Sequence, residues 1–329
     1  MQIDLRTVTI KPLRQTFDHL AKRFGDKPAT RYQEGTYDLQ ATHNFHYRPT
    51  WDPDHELFDK SRTQLQMRDW YDLKDPRQFY YGTYTLARAR QQEAAEANFD
   101  YVETRNLLAQ LPDDVRQSVL DVMLPLRHVA WGGNMNNAYV CAYGYGTAIT
   151  QPCIYQAMDQ LGIAQYITRM GLLLAEPEAL EAARHAWVHA PMWQELRRYL
   201  ENSFVMKDWF ELYIAQNLVI DGLLYPLIYQ AYDDHISQRG GIVINMLCRF
   251  MTDWFAETSK WVDAQIKVAA AESPENKELI TQWIRTHRDQ VLSALRPLAS
   301  HALNSKADDA LQDLNDQFSA RVAKLGITL

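Results

Sequence analysis

The chain has 329 residues, 47% of them hydrophobic, and a formal net charge of −7 at pH 7. It exceeds the usual size of a small domain, and it has ample apolar surface for a large core. The negative charge and the lack of a basic run argue against binding along a nucleic-acid backbone.

The amino terminus and the cysteines predict a cytoplasmic protein. The first residues contain no apolar stretch of the signal-peptide kind. The most apolar segment, 218–229, is interrupted by an acid, a glycine and a proline, so we expect it to be too short to span a membrane. Cys141, Cys153 and Cys248 are odd in number and widely spaced, which favours buried thiols over a disulfide framework or a thiolate metal site.

Residues 1–75 are predicted to form an extended, irregular arm that is rich in turn formers and aromatic rings. Of the chain's 38 aromatic residues, 14 fall within the first 84 positions. Rings at this density need to be buried, either against the chain's own helical core or against a partner subunit. The sequence leaves both possibilities open.

Residues 76–304 are predicted to be a helical domain. A helix over 78–110 is followed by a second helical run to about residue 143, in which Pro125 is expected to cause a kink. The other helices are expected at 149–174, from Pro177, from Pro191, at 207–238, at 242–272 and from Pro274. Apolar residues lie on more than one face of the long helices, which is typical of a large bundle.

The last segment, residues 305–329, is predicted to contain an amphipathic helix. Between Lys306 and Leu325 the apolar residues recur at helical spacing. We expect this helix to dock on the bundle or on a partner. No alternating strand pattern and no glycine-rich phosphate loop occur in the sequence.

Metal-binding motifs of the di-iron bundle kind are missing. Such bundles use glutamates and Glu-x-x-His pairs, because residues three apart share one helix face. No glutamate here is followed three positions later by histidine. The best remaining candidate is Glu181, His185 and His189, spaced for one helical face, against the alternative of a solvated helix. A weaker cluster in the arm comprises His43, His46, Asp52, Asp54 and His55.

Nucleophile motifs are also missing. The sequence contains no Gly-x-Ser-x-Gly elbow, and its cysteines stand in no recognisable catalytic context. The pair Asp233 and Asp234 beside His235 is expected at the surface near a helix end. Nothing in the sequence specifies catalysis by this chain alone.

Several segments resemble the β subunit of the hydroxylase component in bacterial multicomponent monooxygenases, most closely the phenol hydroxylase branch. The segments that carry this resemblance are Phe24–Ala29, Arg31–Glu34, Phe45–Pro49, Trp51–Glu56, Asp75–Gly82, Pro125–His128, Asp208–Glu211, Asn217–Tyr229 and Met251–Glu257. They extend over most of the chain, from about residue 10 to residue 300.

The resemblance implies an all-α, ferritin-like helical bundle, paralogous to the α subunit that holds the di-iron centre. In that subunit a Glu-x-x-His precedes a segment similar to Cys141–Tyr143. Here the corresponding ligand positions hold Asn134 and Asn137, whose neutral amides cannot balance the charge of two iron ions. A second ligand pair is aligned, more weakly, with Met246 and Arg249, where an arginine is expected to occupy a cation's place.

The resemblance further implies a structural, non-catalytic subunit. Such complexes pair two αβγ protomers, with di-iron in the α subunit, a small γ subunit, a regulatory protein, and a separate reductase that carries FAD and an iron–sulfur cluster. They convert phenol to catechol with NADH and O2. No cofactor and no membrane contact are implied for this chain. Its aromatic arm is the expected contact with the α subunit, with these candidate anchors: Tyr47, Trp51, Phe58, Trp70 and Tyr71.

Three alternatives remain open from the sequence. The chain could be the β subunit of a toluene-type monooxygenase. It could be a self-contained metalloenzyme that uses Glu181, His185 and His189. It could also be a free-standing binding bundle, which should behave as an isolated monomer without a large exposed apolar patch.

Overall fold

The computed structural model describes residues 18–41 and 48–329, and within these residues the chain is all-α. No β-strand occurs in the described ranges. The all-α fold predicted from the sequence is therefore confirmed, and its long helices follow from the 3.6-residue apolar periodicity.

The helices are numbered in chain order. They are α1 Asp18–Phe24, α2 Arg31–Thr36, α3 Tyr81–Thr104, α4 Asp113–Val122, α5 Leu126–Tyr143, α6 Thr147–Leu174, α7 Glu178–His189, α8 Pro191–Ser203, α9 Trp209–Tyr213, α10 Asp221–Pro226, α11 Asp233–Ile236, α12 Ile242–Glu272, α13 Pro274–Leu303 and α14 Ala307–Ala323.

The described part of the arm is less irregular than expected. It contains α1 and α2 and two short 3-10 turns, Lys60–Arg62 and Trp70–Asp72. Helix α2 begins with a capping box, because Thr30 accepts from the backbone of Gln33 while the Gln33 side chain accepts from the backbone of Thr30. This local bonding stabilises a short helix that apolar periodicity does not reveal.

Most of the core lies among α5, α6, α12, α13 and the helical run that begins at Trp209. Helices α5 and α6 form the most extensive helix pair, and α12 packs against α3 and α13. Trp193, Trp209, Trp254 and Trp261 are among the largest fully buried side chains. Rings of this size contribute strongly to the hydrophobic stability of the bundle.

Helices α9 to α11 belong to one helical run that begins at Trp209, with π-helical segments at Ile214–Ile220 and Leu227–Tyr232. This run ends in a kink at Arg239 and Gly240, whose backbone is not helical, before α12 begins at Ile242. Pro226 lies inside this run, immediately before the second π-helical segment. The helix predicted at 207–238 therefore continues through Pro226, because a local change of helix type re-satisfies the backbone around a proline.

By length and composition alone, Trp209–Glu272 could cross a membrane, since its most apolar window has a mean hydropathy of 1.2. However, 94% of that window is buried inside the protein. This burial is typical of a core helix, because a helix covered by neighbouring helices is apolar all round.

Proline and glycine mark the helix junctions, largely as predicted. The expected kink at Pro125 is a full break between α4 and α5. Pro191 and Pro274 each occupy the first turn of a helix, where the missing amide costs nothing. The backbone turns at Gly240, whose φ of 92° is a left-handed conformation that glycine adopts without strain.

The carboxy-terminal helix α14 docks on this chain. Leu311, Leu314, Phe318 and Val322 are all buried, and α14 packs against α13 and α10. The sequence left open whether this helix docks on the bundle or on a partner. In the structure it docks on the bundle.

Candidate functional site at the centre of the bundle

A group of polar side chains lies at the centre of the bundle, between α5, α6 and the helical run that starts at α9. Asn134 and Asn137, which the resemblance predicts to stand at lost metal-ligand positions, lie in this region. Asn134 is half-buried and donates to the carbonyl of Ala157 on α6 at 2.8 Å. Asn137 is fully buried. The structure thus places both predicted residues along the seam between α5 and its neighbours.

Asn137 and Asn217 form a reciprocal amide pair. Asn137 Nδ2 donates to Asn217 Oδ1 at 3.0 Å, and Asn217 Nδ2 donates to Asn137 Oδ1 at 2.9 Å. Asn137 Nδ2 also donates to the carbonyl of Gly133 at 2.9 Å. Both amide oxygens are therefore engaged in hydrogen bonds and are not free to coordinate a metal.

A second set of hydrogen bonds begins at the neighbouring residue, Asn136, and involves residues that sequence reasoning missed. Asn136 Nδ2 donates to Ser203 Oγ at 2.8 Å and to Gln216 Oε1 at 2.9 Å. Gln216 Nε2 donates to Asp221 Oδ1 at 2.9 Å, and Gln160 approaches the other oxygen at 3.4 Å. One signal was available: three polar residues, Gln216, Asn217 and Asp221, interrupt a strongly apolar segment.

Asp221 is a buried carboxyl group, and no arginine or lysine among the described residues forms an ion pair with it. Burial raises its pKa to about 8, although the hydrogen bond from Gln216 and the charge of Arg321 oppose this rise. At neutral pH this carboxyl is therefore mostly protonated, and the centre of the bundle carries no net charge.

The central group does not fit a di-iron centre. Two irons need several anionic carboxylates and imidazoles, whereas this group offers amides and one protonated acid. The adjoining cavity, next to Gln160 and Asp221, measures about 10 Å³, which is about the limit for a single water. In the ranges that the structure describes, no three His, Cys, Asp or Glu side chains are grouped to hold a metal.

The sequence predicted that the Arg249 side chain, near Met246, occupies a former cation position, and the structure contradicts this prediction. The Arg249 side chain is 63% exposed and forms an ion pair with Asp253, one turn further along α12, at 2.9 Å. Its charge therefore lies in solvent and does not occupy a former cation position. Met246 is half-buried, and its backbone carbonyl accepts from Asn98 Nδ2 at 3.2 Å.

The alternative metal candidate on α7 is a solvated helix face. Glu181 is exposed and accepts from Arg184 Nε at 2.9 Å. His185 and His189 are both exposed, with ring centroids 4.5 Å apart. An exposed carboxylate already paired with arginine, beside two exposed imidazoles, does not support a structural or catalytic metal site.

In the arm cluster, His43 and His46 lie outside the described residues. Asp52 accepts from Arg62 Nη1 at 2.6 Å and lies 2.9 Å from His55 Nδ1. These contacts hold the arm to itself. They also lower the pKa of the Asp52 carboxyl, chiefly through its hydrogen bond with His55.

The five predicted anchor residues of the arm differ in how far they are exposed. Trp70 and Tyr71 are buried within this chain, with Trp70 packed on Trp209 at a centroid distance of 5.5 Å, so their assignment as anchors for a partner is corrected. Trp51 is 72% exposed and donates to Tyr143 Oη at 3.0 Å. Phe58 is half-buried, and Tyr47 lies outside the described residues.

A second polar cluster, which sequence reasoning also missed, joins α3, α6 and α12. Asp159 on α6 accepts from both Arg88 and Tyr84 of α3 and from Trp254 of α12. Arg88 also pairs with Glu257 at 3.0 Å. Every group in this cluster is engaged with a protein partner, which indicates a structural connection between helices.

The remaining polar candidates are structural as well. Cys153 and Cys248 are buried, and burial raises the pKa of both thiols. Asp233 was expected at the surface, but it is buried and accepts from Asn245 Nδ2 at 2.7 Å. Its neighbour Asp234 is exposed, as expected.

An exposed apolar strip runs over α5 and α6, on the outer side of the polar centre. Asn134 on α5 bonds Ala157 on α6, which sets the adjacent Met135 and Met158 at the same level of the helix pair. The strip comprises Trp131, Met135, Ile154, Met158 and Leu161, each between 37% and 52% exposed. An apolar surface of this kind is typical of a protein–protein contact.

Residues 51–273 match the family described as methane/phenol/alkene hydroxylase. The chain is 47% identical to the DmpL oxygenase component of phenol 2-monooxygenase from Pseudomonas sp. strain CF600, over 99% of this chain and 98% of that one. It is 25% identical to the β subunit of the toluene-4-monooxygenase hydroxylase component from Ectopseudomonas mendocina, over 70% of this chain and 71% of that one.

A solved structure has the same fold. A chain of the xenon-pressurised phenol hydroxylase from Pseudomonas sp. OX1 matches with a TM-score of 0.92 and 42% identity, covering 99% of each chain. Both the sequence and the structural comparisons therefore extend over nearly the full length, including the polar centre and α14.

Proposed function

This chain belongs to the methane/phenol/alkene hydroxylase family, and from that premise we propose that it is the non-catalytic β subunit of a phenol 2-monooxygenase. The coarser assignment, a subunit of the oxygenase component, is supported by near full-length identity to such a component. The complex is an oxidoreductase, and we propose that it converts phenol to catechol with NADH and O2.

One observation carries the non-catalytic role: the neutral, hydrogen-bonded polar group at the centre of the bundle. Asn137 and Asn217 bond each other, the protonated Asp221 is bonded by Gln216, and these residues provide no anionic donor set. Such a group fixes the packing of buried helices without chemistry of its own. We propose that a paralogous α subunit holds the di-iron centre and that a separate reductase supplies electrons through FAD and an iron–sulfur cluster.

The surface favours a supporting role in a larger assembly. We propose that the α5–α6 strip and the exposed Trp51 contact the α subunit in a dimer of αβγ protomers. Trp51 reaches the carboxyl end of α5 through Tyr143, so the arm and the strip lie along one helix. Aromatic and methionine side chains are enriched in interface cores, whereas a free-standing monomer rarely exposes them together.

The toluene-type alternative is less well supported, since identity falls from 47% for the phenol relative to 25% for the toluene relative. The assembled complex can be given phenol and toluene separately with NADH and O2. We expect phenol to be the better substrate by kcat/KM. A preference for toluene would assign the chain to the other branch.

The role itself is tested by subunit omission. The oxygenase component should be expressed with and without this chain, and phenol turnover should be measured after the reductase and regulatory protein are added. We expect loss of a stable, active component when this chain is omitted, and recovery when it is co-expressed. Phenol turnover by this chain without its companion oxygenase subunits would refute the proposal.

A further inference from the structure

A pocket of about 450 Å³ lies between the arm, the carboxyl end of α5 and the segment that leads into α9. Trp51 lines it from the arm, Tyr139 and Tyr143 line it from α5, and Lys207 lines it from the segment before α9. The Trp51 side chain is 72% exposed, so the pocket opens to solvent. Ligand pockets begin at roughly 300 Å³, and this one is therefore large enough to receive a side chain of another molecule.

The aromatic rings of the pocket are fixed in position, and they bring Lys207 beside them. Trp51 Nε1 donates to Tyr143 Oη at 3.0 Å, and the rings of Tyr139 and Tyr143 lie 4.7 Å apart between centroids. Tyr139 Oη donates to the backbone carbonyl of Lys207 at 3.2 Å. The lysine side chain therefore begins at the aromatic wall of the pocket.

The two carboxylates that line the pocket are already engaged within the chain. Asp208 accepts from three backbone amides, at 2.7, 2.9 and 3.1 Å. Asp52 accepts from Arg62 Nη1 at 2.6 Å. These bonds hold the arm to itself and to the start of α9, and they leave neither carboxylate as a counter-ion for a further cation.

Lys207, in contrast, has a free charge. Its side chain is exposed, and its ammonium group forms no ion pair with any described residue. The pocket thus offers one unpaired cation beside apolar ring faces. Its complement is a carboxylate on a short apolar stem, as in glutamate or aspartate, whereas a basic side chain would meet a like charge.

The pocket continues the exposed apolar strip along α5. Met135, in the strip, lies one helical turn before Tyr139, and residues four apart share one face of a helix. Trp51 then extends the same surface beyond the end of α5 through its bond to Tyr143. A partner that covers the strip is therefore led directly over the mouth of the pocket.

We propose that this pocket receives an acidic side chain of the α subunit. The carboxylate pairs with Lys207, and the stem packs against Trp51 and Tyr139. The inference rests on the proposed function, because it takes the α subunit as the partner on this surface. A single ion pair at the end of an apolar contact fixes the orientation of the two subunits, since charge pairs contribute specificity more than affinity.

The direct test is carbodiimide crosslinking of the assembled oxygenase component, which joins an ammonium group to a carboxylate in contact with it, followed by peptide mass spectrometry. We expect Lys207 to be linked to an aspartate or glutamate of the α subunit. Lys260 is equally an exposed lysine, on α12 and outside both the pocket and the strip, and should form no such link. A Lys207 link to another subunit or to a second copy of this chain, or no link at Lys207, would overturn the proposal.

Charge reversal gives a second, directional test. Lys207→Glu should weaken association with the α subunit about tenfold in a pull-down titration, and Lys260→Glu should leave it unchanged. Stronger association of Lys207→Glu would show that the partner group is basic, and unchanged association would show that the pocket receives no charged group. In either case, loss of phenol turnover when this chain is omitted would leave the proposed function standing and refute only the pocket.

Discussion

The carboxylate of Asp159 connects three helices. It accepts from Arg88 at 2.7 and 2.8 Å, from Tyr84 Oη at 2.9 Å and from Trp254 Nε1 at 2.9 Å. Asparagine replaces one carboxylate oxygen of Asp159 with an NH2 group, which cannot accept a hydrogen bond from these donors. Arg88 is then left partly unpaired. We expect Asp159→Asn to lower the free energy of unfolding by about 3 kcal/mol, measured by urea denaturation.

The control for that change is Asp253→Asn, which has the same chemistry at the surface. Asp253 is 47% exposed and pairs with Arg249 on its own helix. Exposed pairs of this kind contribute little, so we expect a change within about 0.5 kcal/mol. Equal losses in the two variants would show that the buried cluster is not a structural connection.

Asp221 should make stability depend on pH. Its folded-state pKa of about 8 lies above the ordinary unfolded value, so between about pH 4 and pH 8 the folded state holds a proton that the unfolded state has lost. Stability should therefore fall as pH rises through this window, by up to about 1.4 kcal/mol per pH unit from this group. Asp221→Asn keeps an acceptor for Gln216 and should remove that dependence.

The measurement is urea denaturation of the wild type and Asp221→Asn at pH 5 and pH 7.5. We expect the unfolding free energy of Asp221→Asn to increase relative to that of the wild type as pH rises. A difference that stays constant between the two pH values would contradict a protonated Asp221.

Residue by residue, the sequence predicted less of the polar centre than of the fold. Asn134 and Asn137 were singled out only because the family resemblance predicts that they stand at ligand positions of a related subunit. Asp221, Gln216 and Asp159 were missed, because their roles depend on partners on other helices. The misplacement of Arg249 has the same cause, since helix rotation decides whether a side chain faces the core or solvent.

At the scale of elements, two glycines should respond in opposite ways to alanine. Gly240 has a φ of 92° and ends a helical segment beside Pro112. Gly162 lies within α6, with no atom near the position of an added Cβ. We expect Gly240→Ala to destabilise the protein by about 1 kcal/mol and Gly162→Ala to stabilise it by about 0.5–1 kcal/mol, both read from thermal unfolding. Shifts of the same sign would contradict the assigned backbone roles.

The helix boundaries were predictable wherever local chemistry sets them. Pro191, Pro274 and Gly240 mark junctions because each acts through its own backbone. The π-helical segments at Ile214–Ile220 and Leu227–Tyr232 were not predictable, because packing around Pro226 and around buried polar groups selects that hydrogen-bonding pattern.

At the scale of the whole molecule, the α5–α6 strip is proposed to hold this subunit in its complex. Met135→Lys places a charge at the middle of the strip, while Tyr101→Lys changes a comparably exposed ring on α3. We expect Met135→Lys to weaken association with the α subunit at least tenfold in a pull-down titration and Tyr101→Lys to leave it unchanged. Equal association of the two variants with the α subunit would show that the interface lies elsewhere.

The central claim is that this bundle has a neutral hydrogen-bonded centre where a related subunit is proposed to hold two irons. The most direct measurement is iron content by mass spectrometry after the subunits of the purified, active component are separated under conditions that retain bound metal. We expect the iron to remain with the α subunit, and this chain to carry none in stoichiometric amount. Stoichiometric iron in this chain, lost on substitution of Asn137 or Asp221, would contradict it.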